Sequence, residues 1–187
     1  METNKLLAAL HVAERLKDTT RHCYTEGGRH ESVAEHSWRV TLMAYWIKDE
    51  FPEVDMDKVL HMCLIHDLGE CFTGDIPSFL KTEKDERKEE ALLYEWVDTL
   101  PPPYREEMRS LYEEMAALET VEARIYKALD KMEAVIQHNE SDLSTWEQQE
   151  YELNMTYGTE NVLFSKYLTA LRQAIRLETL EKIDRRT

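Results

Sequence analysis

Breakers of regular structure are scarce in this chain. Its 187 residues include five glycines and five prolines, and the prolines fall at Pro52, Pro77 and the run Pro101, Pro102 and Pro103. The long intervals between them are filled with Leu, Ala, Glu, Lys and Met, all good helix formers. No run of alternating apolar and polar residues is long enough to compete as a strand. The prediction is an all-α bundle of about seven helices, and the length suits one domain over residues 1–187.

Apolar periodicity places the helices. Leu6, Leu10, Ala13 and Leu16 line one face of the first. The second opens at Glu31 or Ser32, with Ser32 a candidate cap and Glu35 three residues on, and runs to Pro52. The third covers Met56 to Leu68 and ends at Gly69. The fourth, Glu83 to Leu100, stops at the triple proline, and the fifth continues from there to about Leu118. Val121, Ile125, Leu129, Met132 and Ile136 recur at helical steps along the sixth. The last runs from about Thr159 to Ile183, with Phe164, Leu168, Leu171 and Ile175 in register. Asp18–His30 and Cys71–Lys81 read as loops. The wholly charged block Glu83–Glu90 reads as a solvated helix face carrying i,i+4 pairs such as Glu83–Arg87.

Charge and cysteine usage narrow the function classes. Lys and Arg number 23 against 38 Asp and Glu, a net charge of −15, which argues against binding a nucleic acid polymer. A small phosphorylated substrate stays open, because a bound metal and one or two arginines reverse the sign locally. No stretch of about 18 apolar residues could span a membrane, and METNKLLAAL lacks the layout of a secretory signal. Three cysteines with no C-x-x-C pair suggest reduced thiols and a cytoplasmic protein.

The candidate chemistry sits on, beside or at the end of apolar stretches. His36 shares a helix face with Val40, Met43 and Ile47; alone, such a histidine is usually a satisfied core residue. His66 and Asp67 close the run Val59, Leu60, Cys63, Leu64, Ile65, where a charged Asp is costly unless paired or coordinating a cation. Glu70 follows at i+4 and i+3 and can converge with both. Asp130 lies at the border of the sixth helix's apolar stripe; alone it is an ordinary rim aspartate, paired with Arg124 or Lys131. Together, His36, His66, Asp67 and Asp130 make a mixed nitrogen and oxygen shell for a divalent metal with positions left open. Other residues read more plainly. His11, His61 and His138 are fillers, Trp38, Trp46 and Trp96 are core, and Arg39 and Lys81 are solvated surface. Cys63 and Cys71 are assigned no chemical role.

ESVAEHSWR (Glu31–Arg39), HDLGECFTGDIP (His66–Pro77) and ALDKMEA (Ala128–Ala134) resemble the H…HD…D signature of the HD-domain phosphohydrolases. Within that superfamily the chain is most similar to the small all-α 5'-deoxynucleotidases, which use a divalent cation to remove phosphate from deoxyribonucleoside 5'-monophosphates. The resemblance spans a core of about residues 5–140, with the C-terminal helix at about 159–183 beyond it. It implies that His36, His66, Asp67 and Asp130 are metal ligands for Mn, Co, Fe, Zn or Mg, that Glu70 handles the attacking water, and that Asp75 contacts the sugar hydroxyl. Arg21, fifteen residues before His36, matches an arginine used near phosphate. His22 stands where those enzymes carry a tryptophan that helps exclude a 2'-hydroxyl, so deoxy-over-ribo selectivity is open. A homodimer is also implied. The competing readings are action on another small phosphate ester, a catalytically idle metal-binding regulatory module, and a purely structural bundle.

Overall fold

The structure, a computed structural model, describes residues 1–185. Helices α1 (Thr3–Ala13), α2 (Val33–Trp46), α3 (Met56–Ile65), α5 (Glu83–Val97), α6 (Tyr104–Ala117), α7 (Val121–Glu140) and α9 (Lys166–Asp184) correspond to the seven expected from periodicity. Two shorter helices, α4 (Glu70–Thr73) and α8 (Glu150–Thr156), lie between them. Helix starts follow local chemistry. The Ser32 hydroxyl accepts from the Glu35 N–H while Glu35 accepts from the Ser32 N–H, the expected reciprocal cap. Thr82 caps α5 in the same reciprocal manner with Asp85, while the Asp55 and Thr120 side chains accept from the Lys58 and Ala123 N–H groups at the starts of α3 and α7.

Helix α7 is the spine. Ile125, Leu129, Met132 and Val135 are fully buried, and the helix packs against α2, α3, α6 and α9. Val40 and Ala44 from α2, Val59, Met62 and Cys63 from α3, and Leu168 from α9 complete this core. Removing water from each large apolar side chain contributes about 1.5–3 kcal/mol.

Several expectations need correction. Asp18–His30, read as a loop, contains most of an antiparallel ribbon of β1 (Thr20–Tyr24) and β2 (His30–Ser32), with Thr20 opposite Ser32 and Tyr24 opposite His30. The strands are too short to show alternation. They are held from outside, by burial of Cys23 and by Gln137, whose amide donates to the Tyr24 carbonyl at 2.6 Å. Gly28, at φ +79°, supplies the left-handed residue that turns the ribbon. The class stays all-α, because the ribbon is the whole of the sheet structure among the described residues.

Helix α2 stops at Trp46 rather than near Pro52, α3 stops at Ile65, and α9 begins at Lys166, where Ser165 caps it, rather than at Thr159. Trp38 and Trp46 are 62% and 70% exposed. Val33, His36, Val40 and Ala44 already fill the inward arc of α2, and these tryptophans fall outside it. Trp96 does pack on the core. The Glu83–Arg87 pair forms as expected, at 2.9 Å on an exposed face.

Candidate metal centre

Three segments bring the sequence-derived residues to one point. Helix α2 supplies His36, the turn after α3 supplies His66 and Asp67, and α7 supplies Asp130. His36 Nε2 lies 3.2 Å from His66 Nε2, 3.7 Å from Asp67 Oδ2 and 3.3 Å from Asp130 Oδ1. His66 Nε2 lies 3.0 Å from Asp67 Oδ2 and 3.8 Å from Asp130 Oδ1. The point equidistant from the atoms of His36, His66 and Asp67 is about 2 Å from each, the length of a bond from imidazole or carboxylate to a divalent transition metal. These three donors therefore fit a cation in size as well as chemistry, and Asp130 approaches it from the side of the two imidazoles.

The second faces of both imidazoles are engaged. His66 Nδ1 donates to the Cys63 carbonyl at 2.8 Å, which turns Nε2 toward the cluster. His36 Nδ1 is closely hydrogen-bonded to Glu133 Oε2. Burial and Arg21 disfavour the His36 imidazolium, but Glu133 and Asp130 outweigh them and hold its pKa at about 9. A bound cation would replace that proton. Burial also works against charge on Asp67, yet His66 and His36 hold its carboxyl down at about 2. The partner of Asp130 is Lys127, 2.8 Å away, rather than Arg124 or Lys131. Against the cost of burial, Lys127 and the two histidines keep Asp130 ionised well below the ordinary carboxylate range.

Glu133, which the sequence reading missed, stands directly behind His36. It is fully buried, and it accepts from Arg39 Nε at 2.6 Å and from Arg21 Nη1 at 3.2 Å. Its spacing of three from Asp130 on one helix face was the available signal. Arg39 is thus not solvated surface: it spans Glu133, Gln137 and Glu140.

A cavity of about 300 Å³ opens beside the cluster and is also lined by Arg21, His22, Glu70 and Asp75. Glu70 begins α4 and is 6% exposed, and its Oε2 has no hydrogen-bond partner. Burial, then Asp67 and Asp75, push its carboxyl up to about 10. Burial raises Asp75 as well, with Arg21 opposing. Arg21 is pinned through Nη1 to Glu31 at 2.9 Å and to Glu133. His22 Nε2 meets Glu150 Oε1 at 2.8 Å, and its ring lies edge-on to Phe79. His138 and Lys81 also line the cavity, against the reading of them as filler and solvated surface; Lys81 is paired with Glu89 at 2.8 Å. Eight residues separate His138 from Asp130, so both fall on one side of α7.

An all-α bundle whose central helices converge on two histidines and two aspartates defines the HD class of proteins. This chain belongs to the HD domain family, whose profile matches residues 13–172. Among its relatives, human 5'-deoxynucleotidase HDDC2 is 35% identical over 140 residues, 72% of this chain and 67% of that protein. The 5'-deoxynucleotidase YBR242W of Saccharomyces cerevisiae is 34% identical over 143 residues, 72% of this chain and 59% of its own. The crystal structure of a predicted metal-dependent phosphohydrolase from Magnetospirillum magnetotacticum MS-1 superposes with a TM-score of 0.77 at 26% identity, covering 95% of this chain and 94% of that one.

Proposed function

We propose that the chain hydrolyses the phosphomonoester of deoxyribonucleoside 5'-monophosphates, using a divalent cation held by His36, His66, Asp67 and Asp130. The observation that carries this reading is the meeting of His36, His66 and Asp67, 3.0–3.7 Å apart, with Asp130 3.3 Å and 3.8 Å from the two imidazoles, beside a cavity containing a buried, unpartnered carboxyl, Glu70. The kinship with 5'-deoxynucleotidases supports the substrate class.

A phosphate monoester dianion repels nucleophiles, and its uncatalysed hydrolysis is among the slowest of biological reactions. A divalent ion, when bound, supplies Lewis acidity toward the phosphoryl oxygen and a water of lowered pKa. Imidazole and carboxylate donors suit Mn, Co, Fe or Zn, with Mg a poorer match. The protein's own groups do the rest. Glu70 takes or orients the proton of the attacking water; its raised carboxyl would be drawn down toward ionisation by a divalent cation held by the neighbouring cluster. Arg21, held in place by Glu31 and Glu133, presents a fixed positive charge to phosphate oxygens in a cavity otherwise rich in carboxylates. Asp75 accepts from a sugar hydroxyl and His22 forms the wall beside it.

A second reading, hydrolysis of another small phosphate ester, is favoured by His22, whose imidazole engages Glu150 and so presents a polar wall. Homodimer assembly and a cytoplasmic location belong to the same proposal. Three buried, unpaired thiols support the latter, and no helix among the described residues is long and apolar enough to cross a membrane.

The test is metal analysis of the purified protein with phosphate release measured across deoxy- and ribonucleoside 5'-monophosphates and unrelated phosphate esters. Turnover of deoxy substrates is expected, abolished by chelation and reduced about 10²–10⁴-fold in Glu70→Gln with metal still bound. Bound metal without turnover of any ester would refute the proposal.

A further inference from the structure

The cavity beside the His36 cluster is lined by a second set of metal-ligating side chains: His22 on β1, His138 on α7 and Glu150 at the start of α8. One donor atom from each lies within 4.8 Å of the others. Glu150 Oε1 is 2.8 Å from His22 Nε2 and 3.4 Å from His138 Nε2, so both imidazoles address a single carboxylate oxygen. The other oxygen accepts from the Glu147 N–H at 2.7 Å, which fixes the rotation of the carboxylate. Glu150 and His138 are buried, His22 is half-buried, and His22 Nδ1 has no hydrogen-bond partner.

Two features separate this group from an ordinary buried polar network. A buried carboxylate is normally matched by a cationic side chain or a metal. Glu31 and Glu133 are matched by Arg21, and Glu133 also by Arg39. Among the described residues, the ion-pair partners of Glu150 are the two imidazoles alone. The donor set is the second feature. Two imidazoles and one carboxylate form the three-ligand shell of open Zn²⁺ sites, with the remaining position free for solvent or a substrate atom. Hard cations such as Ca²⁺, which prefer oxygen ligands, are poorly served by it.

We propose that His22, His138 and Glu150 form a second divalent-cation site, suited to Zn²⁺ or a related borderline ion such as Co²⁺, in the wall of the same cavity. It shares no ligand with the His36 cluster, so it stands or falls independently of the activity proposed above.

Equilibrium dialysis of the full chain against low-micromolar free Zn²⁺, followed by metal analysis, decides the matter. Two ions per wild-type chain are expected, one in an Asp67→Asn/Asp130→Asn double variant, and one in a His138→Gln/Glu150→Gln double variant. Far-UV circular dichroism reports whether each variant folds. If the last does not, His22→Asn, a half-exposed strand position, is read instead, with affinity for the second ion falling at least about tenfold. Titration with Co²⁺ gives a second readout, since the absorption of the second equivalent should vanish in the His22, His138 and Glu150 variants and persist in the aspartate variant. A single ion per wild-type chain that disappears in the aspartate variant overturns the proposal. So do two ions retained when His22 or the His138 and Glu150 pair is changed. Loss of the first ion alone, with no turnover at all, counts against the hydrolase reading and leaves this one standing.

Discussion

Replacing Glu133 by glutamine keeps the volume of a fully buried side chain and deletes its charge. Three groups then lose their counter-charge: His36 through Nδ1, Arg39 at 2.6 Å and Arg21 at 3.2 Å. Removing one member of a buried ionic web costs about 3–5 kcal/mol. The environment gives a consistent figure. Although burial works against it, His36 and Arg21 hold the Glu133 carboxyl at about 2, against an ordinary 4.5, a difference worth about 3 kcal/mol. Because the folded-state value is depressed, this contribution is fully present above pH 4.5 and is lost as pH falls toward 2. Urea unfolding of metal-free protein at neutral pH should therefore show Glu133→Gln less stable by about 3 kcal/mol, with the gap beginning to close below about pH 4.5. Calorimetric titration with Mn²⁺ or Zn²⁺ should also show affinity at the His36 cluster falling about 10–100-fold, since the group that orients His36 has gone. A stability change under about 0.5 kcal/mol would refute the ionic reasoning. An unchanged metal affinity would refute the orienting role.

Other consequences follow from single features. Burial lowers His138 to about 4 from an ordinary 6.5, so its contribution is complete above pH 6.5 and lost as pH falls toward 4. Metal-free protein should lose up to about 3 kcal/mol across that window, and His138→Gln should flatten the pH dependence of its urea midpoint; an unchanged slope would count against a neutral buried imidazole. Leu129→Ala, at a fully buried position on the spine helix, should cost about 2–5 kcal/mol by denaturant unfolding. Gly74 sits at φ +77° and ψ 167° between Glu70 and Asp75 with open space around a would-be Cβ, so Gly74→Ala should destabilise by about 1–3 kcal/mol through backbone strain alone; a neutral result would show that the turn relaxes freely.

The helical scaffold was legible because its signals are local. The Ser32–Glu35 cap, the breaker prolines and the three- and four-residue steps of α7 each act within one or two turns. The convergence of His36, His66, Asp67 and Asp130 was legible for a different reason: an imidazole on an apolar face, a His-Asp pair closing an apolar run and an aspartate at a stripe's border all need partners, and these could partner one another. What stayed hidden depends on distant neighbours. The β1–β2 ribbon is tied down by Gln137, more than a hundred residues away in sequence. Glu133, between Met132 and Ala134, carries no local mark of its role and looks like helix surface until Arg21 and Arg39 close on it. Trp38 and Trp46 could not be assigned a face before the inward arc of α2 was known to be filled.

Asp130, Glu133 and His138 all project from one uninterrupted helix, α7. A residue inserted or deleted upstream of Asp130 within it would swing the three side chains by about 100° together, so natural variation should spare the length of this segment. The opposite side of the cavity is drawn from short pieces, the stretch around Asp75 and Phe79 and helix α8 with Tyr157 beyond it. Those pieces can drift in sequence without disturbing the central helix. Relatives sharing the same reactive end are therefore free to diverge in which ester they admit.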